Sequence, residues 1–145
     1  MKNFLIGLLL AISFCNCKKD NSNPKIPADG WRVGTNVYSY DKCLRSNANN
    51  SLVAFSSTSN MSIKFATLPT ANGTYSIVDH LADVSANQLS FACSAGADTY
   101  YSLTKSVSAT VTVANGIITV TIPETDALSS DGLTVKKVAA GINEK

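Results

Sequence analysis

From residue 61 onward the chain alternates apolar and polar side chains with a period of two, and that rhythm leaves few folds open. Met61, Ile63 and Phe65 alternate with Ser62 and Lys64, and Leu89, Phe91 and Cys93 with Ser90 and Ala92. Val107, Ala109, Val111 and Val113 alternate with Ser108, Thr110 and Thr112, and Ile118, Val120 and Ile122 with Thr119 and Thr121. Successive side chains of a β-strand point to opposite faces, so this pattern describes strands with one buried and one solvated face. The β-branched residues and Phe that dominate the runs pack well on a pleated surface. No segment after residue 20 carries a helical stripe, and Asp79 to Ala86 offers a single turn at most.

The punctuation between the runs agrees. Asn115-Gly116 sits between two clean alternating segments, the strongest short hairpin signal there is. Asn72-Gly73, Ala95-Gly96 and Ser130-Asp131-Gly132 mark further turns. Gly34-Thr35-Asn36 is placed to join a first strand, Trp31 to Val33, to a second, Val37 to Tyr40. We expect an all-β protein: an antiparallel β-sandwich of about eight to ten short strands, mainly hairpin-connected, with a small β-barrel as the alternative.

The first seventeen residues have a different character. Met1-Lys2-Asn3 is followed by an apolar run from Phe4 to Phe14, then by Cys15-Asn16-Cys17 and Lys18-Lys19-Asp20. A basic start, an apolar run too short to span a bilayer and a terminal cysteine describe a lipoprotein signal peptide. Lipidation is assigned to Cys17, with Cys15 as the alternative, because bulky Phe14 stands just before Cys15 where a small residue is wanted. An ordinary cleaved leader without lipid would instead carry small residues at its cleavage site. The division is therefore residues 1–16 as leader, 17–29 as lipidated N-terminus and polar linker, and 30–145 as the β-domain. The expected location is the bacterial cell envelope, anchored in the outer membrane, on its periplasmic or its outer side. Removing residues 1–16 takes away only Lys2 among the charges, lowering the net charge from +2 to +1. Nothing in that balance suggests nucleic acid.

Three segments carry a resemblance. Gly30-Trp31-Arg32-Val33 with Tyr38, the run Leu68-Pro69-Thr70-Ala71-Asn72-Gly73-Thr74-Tyr75, and the Val111 to Gly116 hairpin resemble small Bacteroidota-type lipoproteins of unknown function. The resemblance implies a lipobox, a short polar linker and one β-sandwich domain, and it brings no catalytic residue with it.

Of four cysteines, one is the lipid site and one leaves with the leader, which leaves Cys43 and Cys93 as a pair in an oxidising compartment. A disulfide between them is the expected state, with two buried free thiols as the alternative. A zinc site built from these two and His80 would lack a fourth ligand.

Enzymatic chemistry is poorly served. His80 is the only histidine, no Gly-x-Ser-x-Gly elbow is present, and the only glutamates are Glu124 and Glu144. No catalytic residue, metal or cofactor is assigned. The reading is a non-enzymatic binding or structural accessory module, monomeric, with a glycan or peptide as its possible ligand. The alternative is a small envelope hydrolase or metal-dependent enzyme using His80. Candidate ligand contacts are Tyr100, Tyr101 and Trp31. Tyr100 and Tyr101 must face opposite sides of their strand, so one is outward, and Trp31 is a core plug first.

Overall fold

The structure is a computed structural model that describes residues 25–145. The expected leader, both candidate lipidation cysteines and Lys18-Lys19 lie outside the described residues.

Eleven strands form, and among the described residues there is no helix: β1 Gly30–Val33, β2 Asn36–Ser39, β3 Lys42–Ser46, β4 Ser51–Phe55, β5 Asn60–Phe65, β6 Gly73–Ile77, β7 Gln88–Ala95, β8 Asp98–Ser102, β9 Ser108–Ala114, β10 Ile117–Ser129 and β11 Val135–Asn143. The all-β class is as the alternation indicates, and most sequential strands pair as antiparallel hairpins. At Asn115-Gly116 both residues have positive φ, 53° and 78°, the backbone a two-residue turn needs to match the twist of its strands.

The strands make one continuous sheet, ordered β2-β1-β11-β10-β9-β6-β7-β5-β4-β3, and β8 bridges β10 and β7. That bridge closes a five-stranded ring of β6, β7, β8, β10 and β9, the barrel form of the two architectures, with the remaining strands outside it. The device behind the closure is the thirteen-residue β10. Its first half pairs with β9 and its last three residues pair with β8. Between them the register against β11 slips from Ile122 to Thr125. Pro123 stands at the slip, where a missing amide hydrogen does least harm and a bulge bends the strand.

The inward residues of the alternation build the core. Trp31, Leu52, Met61, Ile63, Phe65, Leu89, Phe91, Tyr100, Ile118 and Ile122 are all at most 1% exposed. Trp31 stacks on Tyr38 at 6.0 Å between ring centroids, and its indole Nε1 donates to the Ser94 carbonyl at 2.9 Å. The domain also begins earlier than Gly30. A Cβ on Gly141 would stand 2.1 Å from the Pro27 carbonyl oxygen, so the Pro27 backbone lies directly on β11. The Tyr40 hydroxyl accepts from the Asn143 amide, and its single hydrogen is shared between the Asn143 carbonyl and the Asp29 carboxylate, at 3.0 and 3.1 Å. Burial, with Asp29 alongside, pushes that phenol up to about 12. The free edge of β3 is tied to the end of β11. Arg45 forks onto both carboxylate oxygens of Glu144, at 2.8 and 2.6 Å, and holds that carboxyl below its usual range.

The expected disulfide is not present: Cys43 and Cys93 are free, buried thiols. The register explains why. Cys43 is opposite Ala54, Ala54 opposite Met61, and Met61 opposite Cys93. Three strand spacings separate the two cysteines, about 14 Å along the sheet, whereas a disulfide spans roughly 4–7 Å between Cα atoms. Both cysteines face inward, but in different columns of the sheet. Burial pushes the thiols up to about 11 for Cys43 and about 12 for Cys93, so almost no reactive thiolate exists at neutral pH. We expect a reductant to leave the melting temperature unchanged, and both thiols to react with iodoacetamide only after denaturation. A linked Cys43–Cys93 peptide in unreduced mass spectra would contradict this arrangement.

Candidate functional site

The polar half of the same alternation forms the floor of a groove. Ser46, Ser51, Lys64 and Ser90 are opposite one another in successive strands β3, β4, β5 and β7, so all four lie in one row on the outward face. The next row holds Leu44, Val53, Ser62 and Ala92. Directly opposed side chains stand about 5 Å apart at Cβ, and the row runs roughly 14 Å across the sheet.

A wall rises along one side because β6 and β7 pair in parallel, Ser76 with Gln88 and Ile77 with Leu89. Parallel neighbours cannot be joined by a tight turn. The connecting segment, residues 78–87, therefore swings out and back, carrying His80, Asp83 and Val84 to the groove. Within it, the Ala82 amide bonds the Asp79 carbonyl at 3.0 Å, the single turn that the sequence allowed and no more. At the other end stands the β3–β4 turn with Asn49 and Asn50, the latter at φ 49° and donating through its side chain to the Ala66 carbonyl. The open groove so formed has a volume of about 830 Å³.

Two polar atoms at this groove are buried without a hydrogen-bond partner among the described residues, Ser90 Oγ and His80 Nδ1. Leaving a buried polar group unmade costs roughly 1–3 kcal/mol, so each such atom asks for an explanation. Lys64 is exposed and forms no ion pair among the described residues. By contrast Asp126 is clamped by Lys137 at 2.7 Å and Lys105 at 3.2 Å. Arg32 likewise holds Glu124 at 2.7 Å.

A second, smaller cleft of about 350 Å³ lies on the far side of His80, between residues 79–81 and the β10–β11 turn. Tyr101 lines it and stacks on His80, with ring centroids 4.5 Å apart and planes inclined by 21°. His80 is thus the partition between the two hollows.

The residues singled out from sequence fall as follows. Tyr101 is the outward member of its pair and borders a cleft. Tyr100 is 1% exposed, with the Lys136 ammonium 5.2 Å from its ring centroid, and Trp31 is fully buried. Neither Trp31 nor Tyr100 can contact a ligand, because strand alternation and the stacking on Tyr38 turn them into the core. His80 lies where a functional histidine could act, but Ser90 Oγ is unbonded and so does not engage it. Among the described residues no three His, Cys, Asp or Glu side chains converge on a metal position. Ser46, Ser51, Ser62, Lys64 and Ser90 were not singled out from the sequence. Comparison with protein-family models, characterised proteins and solved structures finds no match to this chain.

Proposed function

We propose that the protein is a non-catalytic binding module of the bacterial cell envelope, held to the membrane by a lipid on Cys17 and offering the groove over β3, β4, β5 and β7 to a glycan or a peptide. The observation that carries the reading is the groove itself: a solvated sheet face walled by its own crossover segment, with hydroxyl, amide and charged side chains converging on about 830 Å³. A cleft with a few convergent polar groups on a rigid scaffold is the ordinary form of a small-ligand site. The anchor rests on the apolar run that ends at Cys15-Asn16-Cys17.

Two measurements test this. Metabolic labelling with a fatty-acid analogue should tag the wild type and Cys15→Ala but not Cys17→Ala, and the reverse pattern would move the anchor to Cys15. Ser62→Trp, which places an indole on the groove floor, should keep the melting temperature within a few degrees and abolish binding to an array of glycans and peptides. Binding that survives Ser62→Trp would put the site elsewhere.

A hydrolase is the second reading, favoured by one observation: His80, Asp83 and Ser90 all border the groove. Against it, Ser90 Oγ has no hydrogen-bond partner among the described residues, His80 included, and a serine nucleophile requires a hydrogen-bonded base. A fluorophosphonate probe should leave Ser90 unlabelled, and labelling there would replace the binding reading with the enzymatic one.

A further inference from the structure

Resting on the binding reading above, we infer that the groove selects a glycan carrying a carboxylate, and that Lys64 is the residue that receives the charge.

Three groups at the groove are hydrogen-bond donors without partners among the described residues, and Asp83 is the one carboxylate that lines it. Lys64 has three ammonium hydrogens and no ion pair among the described residues. Ser90, its direct partner across β5 and β7, has a fully buried hydroxyl with no partner. From the facing wall, His80 brings a buried Nδ1 that is also unpartnered, and in the tautomer with hydrogen there it is a third donor. Ser51, directly opposite Lys64 on the other side, extends the row with a further hydroxyl. One oxyanion accepts from several donors at once, which a neutral carbonyl or hydroxyl does less well, and bonds to ionised groups are roughly twice as strong. The unpaired ammonium supplies the charge that makes the ligand anionic.

The rest of the ligand follows from what the groove lacks. Its floor is the face of a sheet whose central strands β4 and β5 are paired on both sides. On the edge strand β3 the Cys43 carbonyl is already taken by the Lys145 amide, so the groove offers an extended peptide little edge for main-chain bonds, one way a β-protein captures a peptide. Recognition runs through side chains: Ser46, Ser62 and Asn49, which donate and accept, and Asp83, which accepts. Such a set suits a polyhydroxylated chain, with Val53 and Val84 offered to the apolar faces of its rings. The two components together describe an acidic saccharide.

The test is calorimetric titration of the full chain, solubilised in detergent, with tetragalacturonate, its methyl ester and tetraglutamate. Tetragalacturonate should bind. The methyl ester and the Lys64→Gln variant should each lose about tenfold or more in affinity, the scale of one charge-assisted bond. Ser90→Ala should weaken binding severalfold without lowering the melting temperature, since its hydroxyl has no internal bond to lose. Lys42→Gln, an exposed lysine of β3 that does not line the groove, should change nothing. Equal binding of acid and ester, or indifference to Lys64→Gln, would overturn the carboxylate assignment; loss on Ser62→Trp in that case would leave the groove reading standing. Binding of tetraglutamate through Lys64 without binding of tetragalacturonate would overturn the saccharide assignment in favour of an acidic peptide. No binding of any of the three would overturn the inference outright.

Discussion

Trp31→Ala should lower stability by about 3–5 kcal/mol, the range for truncating a buried large aromatic. In a domain of this size that corresponds to a fall in melting temperature of roughly 10–20 °C. The ring is fully buried, it stacks on Tyr38, and its indole hydrogen satisfies the Ser94 carbonyl. Truncation therefore opens a void and strips a partner from a carbonyl at once. Trp31→Phe separates the two effects: it keeps most of the packing and removes the donor, and should cost about 1–3 kcal/mol. Circular dichroism melts of the three proteins decide the matter. A Trp31→Ala protein that melts with the wild type would mean that the side chain is not in the core at all, and the indole would return as a ligand contact.

Two adjacent tyrosines should give opposite results. Tyr100→Ala should cost about 3–5 kcal/mol as a core truncation, with the Lys136 ammonium left without its aromatic face. Tyr101→Ala, which removes a half-buried ring from the far side of His80, should cost about 1 kcal/mol or less. It should also loosen the histidine that separates the two hollows, so its effect on ligand affinity measures how far the groove depends on that wall. Equal destabilisation by both changes would mean that β8 does not present its two faces as described.

The strands were legible because each one announces itself locally. Met61, Ile63 and Phe65 fix β5 and its inward face, and Leu89, Phe91 and Cys93 fix those of β7. Asn115-Gly116 fixes the β9–β10 hairpin to the residue. Closure into a ring was not legible, because it depends on β8 reaching the last residues of β10, which no pattern within either strand encodes. The cysteine pairing failed for a related reason. Alternation puts Cys93 on an inward face with Leu89 and Phe91, but it shows neither the strand that holds Cys43 nor how many strands stand between the two.

The groove was hidden in plain view. Ser62, Lys64 and Ser90 are the polar members of the alternation, and polar members of an alternation ordinarily meet only water. What sets these apart is the crossover segment above them, a consequence of one parallel pairing between β6 and β7. Large rings such as the tyrosines are conspicuous in a sequence, whereas four serines and a lysine are not.

The first strand of the fold lies between the second and the last. β1 pairs with β2 on one side, but its other neighbour, from Val138 to Gly141, lies more than a hundred positions along the chain. A ribosome extruding this polypeptide must hold Trp31 without its final shelter until nearly everything else has been made. Hairpins such as β4–β5 and β9–β10 can form and dissolve in the meantime, yet the finished core waits on the most distant contact. Topologies dominated by such pairings fold on the millisecond-to-second scale, far more slowly than helical bundles. Until β11 is made, β1 and its Trp31 lack that partner strand, so the core closes last around the first strand made.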